Sequence, residues 1–135
     1  MDKEVKIRSD ALAEMLRLAR AEPREECCGL LAGRGGIITH VFAATNELRS
    51  ATEFSIAPAE LFRLFRAMRE ERLDHLGIYH SHPHSENVPS SRDLAEAHYP
   101  GAAYFILDPR PHASRPVRAF RLLAEANEEC AIVED

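Results

Sequence analysis

The densest group of side chains able to bind a metal or move a proton is Gly77 to Asp93, GIYHSHPHSENVPSSRD, with three histidines, two acids and four serines in seventeen positions. If His80 and His82 lie on a strand, they share one face with Cα atoms roughly 6.6 Å apart. Two imidazoles at that spacing can converge on one ion. A catalytic zinc usually takes three protein ligands and keeps its fourth position open, and a carboxylate is an accepted third ligand. Asp93 could supply it by swinging back from the first turn of a following helix. The aspartate also has a plainer reading. Ser90-Ser91-Arg92-Asp93 fits a serine N-cap with an acid at the third helical position, a variant of the capping box that needs no metal. Capping leaves His80 and His82 unexplained. His84 and Glu86 read as polar residues of a solvated loop after Pro83.

A metal-bound water becomes hydrolytic only beside a base. Glu25 and Glu26, just before the sequence CCGLLAG, are the candidates, because strand ends in one sheet can face a shared cleft. Their plainer reading is a solvated acidic loop after Pro23. His40, His75, His98 and His112 are remote from the cluster in sequence and read as surface or core histidines.

The elements that must position these residues follow from periodicity and punctuation. A helix is expected from Ser9, as cap, to Ala21, with Leu12, Met15, Leu16 and Ala19 on one face and Pro23 beyond its end. CCGLLAG and IITHVFAAT flank Arg34-Gly35-Gly36 and read as a β-hairpin. A second helix runs from Pro58 to about Arg72 with Leu61, Leu64, Phe65 and Met68 at helical spacing. HLGIYHSH is a strand that Pro83 ends, and a short helix runs from Ser90 to Pro100. AAYFILD, PVRAFRLL and CAIVE complete the strands, the first wholly apolar and so central. The expected architecture is α/β (α+β), about three helices and six strands in one domain over residues 1–135.

The chain has 135 residues, a length that fits one domain with a core of its own. A formal net charge of −5 and dispersed arginines argue against nucleic acid as the partner. The three cysteines, two of them adjacent, suit a reducing cytoplasm and write no disulfide framework. The first residues lack the apolar core of a signal peptide, and no run reaches the roughly 20 apolar residues that span a bilayer. A cytoplasmic protein with no membrane partner is expected.

Taken together, EECCGLLAG, YHSHP and SSRD resemble the signature of the JAMM (MPN+) zinc metalloproteases: an upstream glutamate, then His-x-His-Pro, then Ser-x-x-Asp. TNELRSATEFSIAP and YPGAAYFILD extend the resemblance over roughly Ser9 to Leu123. It implies a twisted mixed sheet flanked by helices, related to the cytidine deaminase architecture. It also implies one zinc ion held by His80, His82 and Asp93, Glu26 as general base, and Ser90 as a donor to the oxyanion. Glu25 is one position too early. The compact chain looks like the small stand-alone prokaryotic members. The implied substrate is a ubiquitin-like or sulfur carrier protein, hydrolysed after its C-terminal Gly-Gly.

Three other readings compete. His82, His84 and Glu86 also spell part of a cupin metal pattern, though Pro83 interrupts the strand that reading needs. The His-x-Glu and Pro-Cys-x-x-Cys pattern of the deaminases is missing. A non-catalytic MPN scaffold is the alternative of a different class, although all five signature positions are filled here.

Overall fold

In the computed structural model, which describes residues 3–123 and 126–135, every strand lies in one sheet. The chain opens with β1 (Glu4–Ile7), a strand the sequence reading lacked. Its apolar residues, Val5 and Ile7, are only two and alternate with charge, too short a pattern to stand out. Helix α1 (Ser9–Ala21) buries Ala11, Met15 and Ala19, one residue per turn. Its cap differs from expectation. Arg8, extended at φ −68° and ψ 142°, holds the N-cap position without a side-chain bond, and Ser9 is already helical.

β2 (Cys28–Arg34) and β3 (Ile37–Ala44) form the expected hairpin. Its two connecting residues, Gly35 and Gly36, have φ of 62° and 77°. Both positive angles suit the primed turn that matches strand twist, and glycine adopts them without strain. Helix α2 (Pro58–Glu70) starts on its proline, which has no N–H to leave unpaired there. Next comes β4 (Asp74–Ser81), then α3 (Ser91–Ala95). This last helix is shorter than expected because the chain beyond it turns to other partners. The Tyr99 N–H donates to the Tyr104 hydroxyl at 3.0 Å, and the Ala102 N–H to the Tyr99 carbonyl at 3.0 Å. β5 (Ala103–Leu107), β6 (Val117–Leu123) and β7 (Ala126–Glu134) finish the chain.

The strand order is β1-β3-β2-β4-β5-β6-β7, closing on itself. β1 closes it, pairing parallel with both β3 and β7. β4 and β5 are also parallel, and the other neighbours are antiparallel, so the sheet is mixed as expected and its closure is the new element. Alternation divides the side chains between two clusters. α1 packs with Leu31, Tyr79, Phe105 and Leu107 on one face. Met68 of α2 packs with Leu30, Ile78, Ile106 and Phe120 on the other. His80 has the same parity on β4 as Ile78, so it emerges on the α2 face.

Candidate metal and catalytic site

The site is built where β2 and β4 run out together. Cys28 pairs with His80 across this antiparallel ladder. Bonding continues one step further: the Ser81 N–H donates to the Cys27 carbonyl at 3.0 Å, and the Cys27 N–H to Ser81 Oγ at 2.9 Å. The same register sets Glu26 opposite His82. The His82 N–H then donates to the Leu107 carbonyl at 2.9 Å, which ties the end of β4 to β5.

His80 Nε2 and His82 Nε2 lie 3.2 Å apart. Asp93 Oδ1 is 3.2 Å from the first, and Asp93 Oδ2 is 3.1 Å from the second. With metal–nitrogen distances of about 2.0–2.1 Å, a tetrahedral zinc site places neighbouring donors about 3.3 Å apart, close to the spacing of the two nitrogens and of each nitrogen from one oxygen of the carboxylate. The ring of His82 is held from behind: Nδ1 lies 2.8 Å from the Glu86 carbonyl oxygen. Donation from Nδ1–H to that carbonyl leaves a lone pair on Nε2, aimed at the group. His80 stacks on Phe54 with ring centroids 4.7 Å apart. Its Nδ1 is buried without a hydrogen-bond partner among the described residues. Two imidazoles and a carboxylate converging on one point are the donor set of a divalent transition metal, and the residues present fit zinc.

Charge in the group is unevenly divided. Burial opposes ionisation of Asp93, but hydrogen bonds from His80 and His82, their charge and the Ser90 N–H hold its carboxyl well below the usual range. Burial pushes His80 down, and Asp93 offsets this only in part. Burial also presses on His82, yet its bonds to Asp93 and the Glu86 carbonyl leave it above the ordinary value. Glu26 is 3% exposed, and its Oε1 has no hydrogen-bond partner among the described residues. Burial raises its carboxyl to about 8; His82 pulls it down, and Asp93 and Glu53 push it up. Its adjacent twin behaves differently, for Glu25 is engaged by Arg49 at 3.2 Å. Of the two acids, Glu26 alone is turned inward beside the cluster.

The two readings of Asp93 are compatible. Its N–H donates to Ser90 Oγ at 3.0 Å, and its Oδ2 accepts from the Ser90 N–H at 2.9 Å, completing a capping box. The same carboxylate faces both histidines. Ser90 Oγ accepts from the helix and keeps its O–H to donate elsewhere.

His84 is exposed, and Glu86 contributes its backbone carbonyl to His82 while its side chain lies at the surface. Among the described residues, the His/Cys/Asp/Glu group suited to a metal is His80, His82 and Asp93, so the cupin triad does not form. His75 packs edge-on against Phe65 and Tyr99, with Nε2 2.9 Å from the Gly77 carbonyl, a satisfied histidine as expected.

Residues 46–56, which the sequence resemblance covers through TNELRSATEFSIAP, form a strap beside the site. Buried Asn46 is its hub: Nδ2 donates to the carbonyls of Glu26 at 3.1 Å and Glu53 at 3.0 Å, and Oδ1 accepts from the Leu48 and Ser55 N–H groups. The Glu26 N–H donates to the Ser50 carbonyl at 2.8 Å. The strap therefore fixes the backbone of Glu26 and carries Phe54 onto His80. Beyond His80 and Asp93 opens a cleft of about 230 Å³, lined by Phe54, Ile56, Leu61, Tyr99 and Tyr104, with Glu53, Arg92 and Glu96 at polar positions. Arg92 reaches both carboxylates, each at 3.0 Å.

Comparison with known proteins identifies the family. Residues 8–123 match the family model for prokaryotic homologs of the JAB domain. The chain is 32% identical over 133 residues to the CysO-cysteine peptidase of Mycobacterium tuberculosis, covering 95% of this chain and 90% of that one. It is 35% identical over 106 residues to the desampylase of Haloferax volcanii, covering 76% of each. A solution structure of a Desulfitobacterium hafniense protein superposes with a TM-score of 0.83 at 31% identity, covering 96% of this chain and 92% of that one. The chain thus belongs to the prokaryotic JAB-domain family, and it is a hydrolase of the JAMM metalloprotease type.

Proposed function

We propose that this chain is a zinc-dependent peptidase or isopeptidase, a single JAMM domain that hydrolyses the bond after the Gly-Gly tail of a ubiquitin-like or sulfur carrier protein in the cytoplasm. The observation that carries the chemistry is the convergence of His80, His82 and Asp93 beside a buried Glu26 whose Oε1 has no hydrogen-bond partner among the described residues. The substrate class rests on the relatives: one is named for a CysO-cysteine bond, another as a desampylase. Thiols at the adjacent Cys27 and Cys28 accord with a reducing compartment, and among the described residues no helix is long and apolar enough to cross a membrane.

His80, His82 and Asp93 would hold the zinc, which would supply Lewis acidity and make a water acidic near neutral pH. Everything else falls to the chain. A cation in the triangle favours the carboxylate form of Glu26, reversing the effect of burial. Glu26 then accepts the proton of the attacking water and later returns it to the leaving amine. The Ser90 O–H donates to the carbonyl oxygen as negative charge develops there, while its lone pair stays with the Asp93 N–H.

The tail has a docking edge. Along Glu53–Ile56 the backbone groups of Glu53 and Ser55 bond to Asn46 and Glu47. Those of Phe54 and Ile56 make no hydrogen bond among the described residues and border the cleft. An extended tail added to this edge would pair with them as a further strand and reach the metal triangle.

Ser90→Ala is expected to slow turnover about 100- to 1000-fold with the metal retained. It also removes a helix cap, costing about 1 kcal/mol. Ser90→Asp separates the effects: aspartate caps as well as serine but cannot donate, so stability should return and rate should not. A melting curve and a kcat measurement on both variants check this. The function itself is tested by capture with zinc-loaded Glu26→Gln protein, followed by cleavage assays on the carrier recovered. Wild-type protein that holds zinc yet leaves every Gly-Gly fusion intact, in step with the variant, would leave a non-catalytic MPN scaffold as the reading.

A further inference from the structure

A second cavity, of about 260 Å³, opens on the other flank of the cluster, among Glu86, Asn87, Asp108, Arg110, Arg115 and Arg118. It is joined to the metal triangle through the supports of His82. Glu86, whose carbonyl holds the His82 ring, lines it, and so does Asp108, the residue after the carbonyl that accepts the His82 N–H. Asn87 is buried and sews its walls together, donating to the carbonyls of Ile106 at 3.2 Å and Arg115 at 2.8 Å.

The two flanks differ in their arginines. The first cleft has one, Arg92, among Glu53, Asp93 and Glu96. The second has three, with Glu86 and Asp108 in its lining and Glu129 behind Arg115 and Arg118. The arginines are also held in place. Arg110 is gripped bidentately by buried Asp108, through Nε at 2.9 Å and Nη2 at 2.8 Å. Arg118 is held the same way by Glu129, through Nε at 3.0 Å and Nη2 at 2.7 Å, and Arg115 shares that carboxylate. A guanidinium bound along one edge keeps the Nη1 donors of the other edge, already oriented.

We propose that this arginine-lined cavity binds the carboxylate of the leaving group, so that the preferred substrate carries a free carboxylate on the residue released after Gly-Gly. The inference rests on the peptidase reading above and deepens it. The aromatic cleft with its open backbone edge suits an uncharged extended tail, and the opposite flank is left for the product amine. An α-amino acid leaving group places a carboxylate one carbon from that amine; a lysine side-chain linkage places none there. The first kind fits the flank with open guanidinium edges, whereas the one arginine of the aromatic cleft, Arg92, is already engaged by Glu53 and Glu96.

The test uses a ubiquitin-like sulfur carrier extended past its Gly-Gly by one alanine, prepared as the free acid and as the α-carboxamide, with zinc-loaded protein and both substrates in competition. The acid should be cleaved with a kcat/KM about 10- to 100-fold higher. In Asp108→Asn/Arg110→Gln, which leaves no buried charge unpaired, the acid-to-amide ratio should fall toward one. A defect of folding alone would slow both substrates and keep the ratio. Equal rates on acid and amide in the wild type, or a ratio untouched in the double variant, overturn the subsite while leaving the peptidase reading intact. Cleavage of neither substrate overturns the peptidase reading, and the subsite with it.

Discussion

Glu26→Gln is expected to lower kcat about 100- to 10,000-fold, the range general acid–base catalysis supplies, while zinc stays bound. The substitution keeps the shape of a side chain that is 3% exposed and removes only its ability to take and return a proton. Metal analysis beside single-turnover kinetics separates this from loss of the ion. The same variant carries a second signature, in stability without metal. Burial raises the Glu26 carboxyl to about 8, above its value in the unfolded chain. A raised pKa means the folded state holds the proton more tightly. Its contribution is complete below the unfolded value near 4.5 and is lost as pH climbs through 8. The metal-free wild type should therefore lose stability between pH 5 and about 9 relative to Glu26→Gln, which has no charge to bury. Melting curves across that window, with chelator present, give the comparison; parallel curves would show that Glu26 ionises freely where it lies.

Stripping the metal should abolish turnover and lower the melting temperature by about 10 °C, yet leave the protein folded. An ion present at about 1,000 times its dissociation constant stabilises the native state by about 4 kcal/mol, enough for a shift of that size. The fold survives because the triangle is partly self-satisfying when empty of charge compensation from outside: Asp93 faces both histidines, and His82 tends to keep a proton. His80→Ala should behave like the stripped protein and fail to recover when zinc is returned. Differential scanning calorimetry with and without chelator checks both statements. A melting temperature indifferent to chelator would show that the triangle holds no ion worth several kcal/mol.

The donor triangle was legible in the sequence because each part sits on a regular element. His80 and His82 obey the period of a strand, and Ser90 and Asp93 obey a helix start, so spacing alone constrains where they point. Glu26 was harder. It lies outside any element, and residue types alone could not separate it from Glu25; the motif resemblance did, and in the structure Arg49 claims Glu25 while the strap around Asn46 pins Glu26. β1 escaped notice since four residues give too few alternations, although its pairing with β3 and β7 closes the sheet. Long-range features of this kind, the sheet closure, Phe54 on His80 and the arginine cavity, join segments remote in sequence. Local periodicity does not encode them.

The shared role of Asp93 has a kinetic consequence. α3 spans only Ser91–Ala95, so without tertiary support it would open readily, and the carboxylate that starts it is also the one offered to the metal. Fraying of this one turn and release of the ion are then a single event. The metal cannot leave at the Asp93 corner while the capping box stays closed in its present form, and the turn cannot unwind without surrendering a donor. Amide hydrogens of residues 93–96 should accordingly exchange with deuterium at least tenfold faster in metal-free protein, with those of β4 little changed. Their protection would serve as a gauge of occupancy, read from the backbone and without reference to turnover.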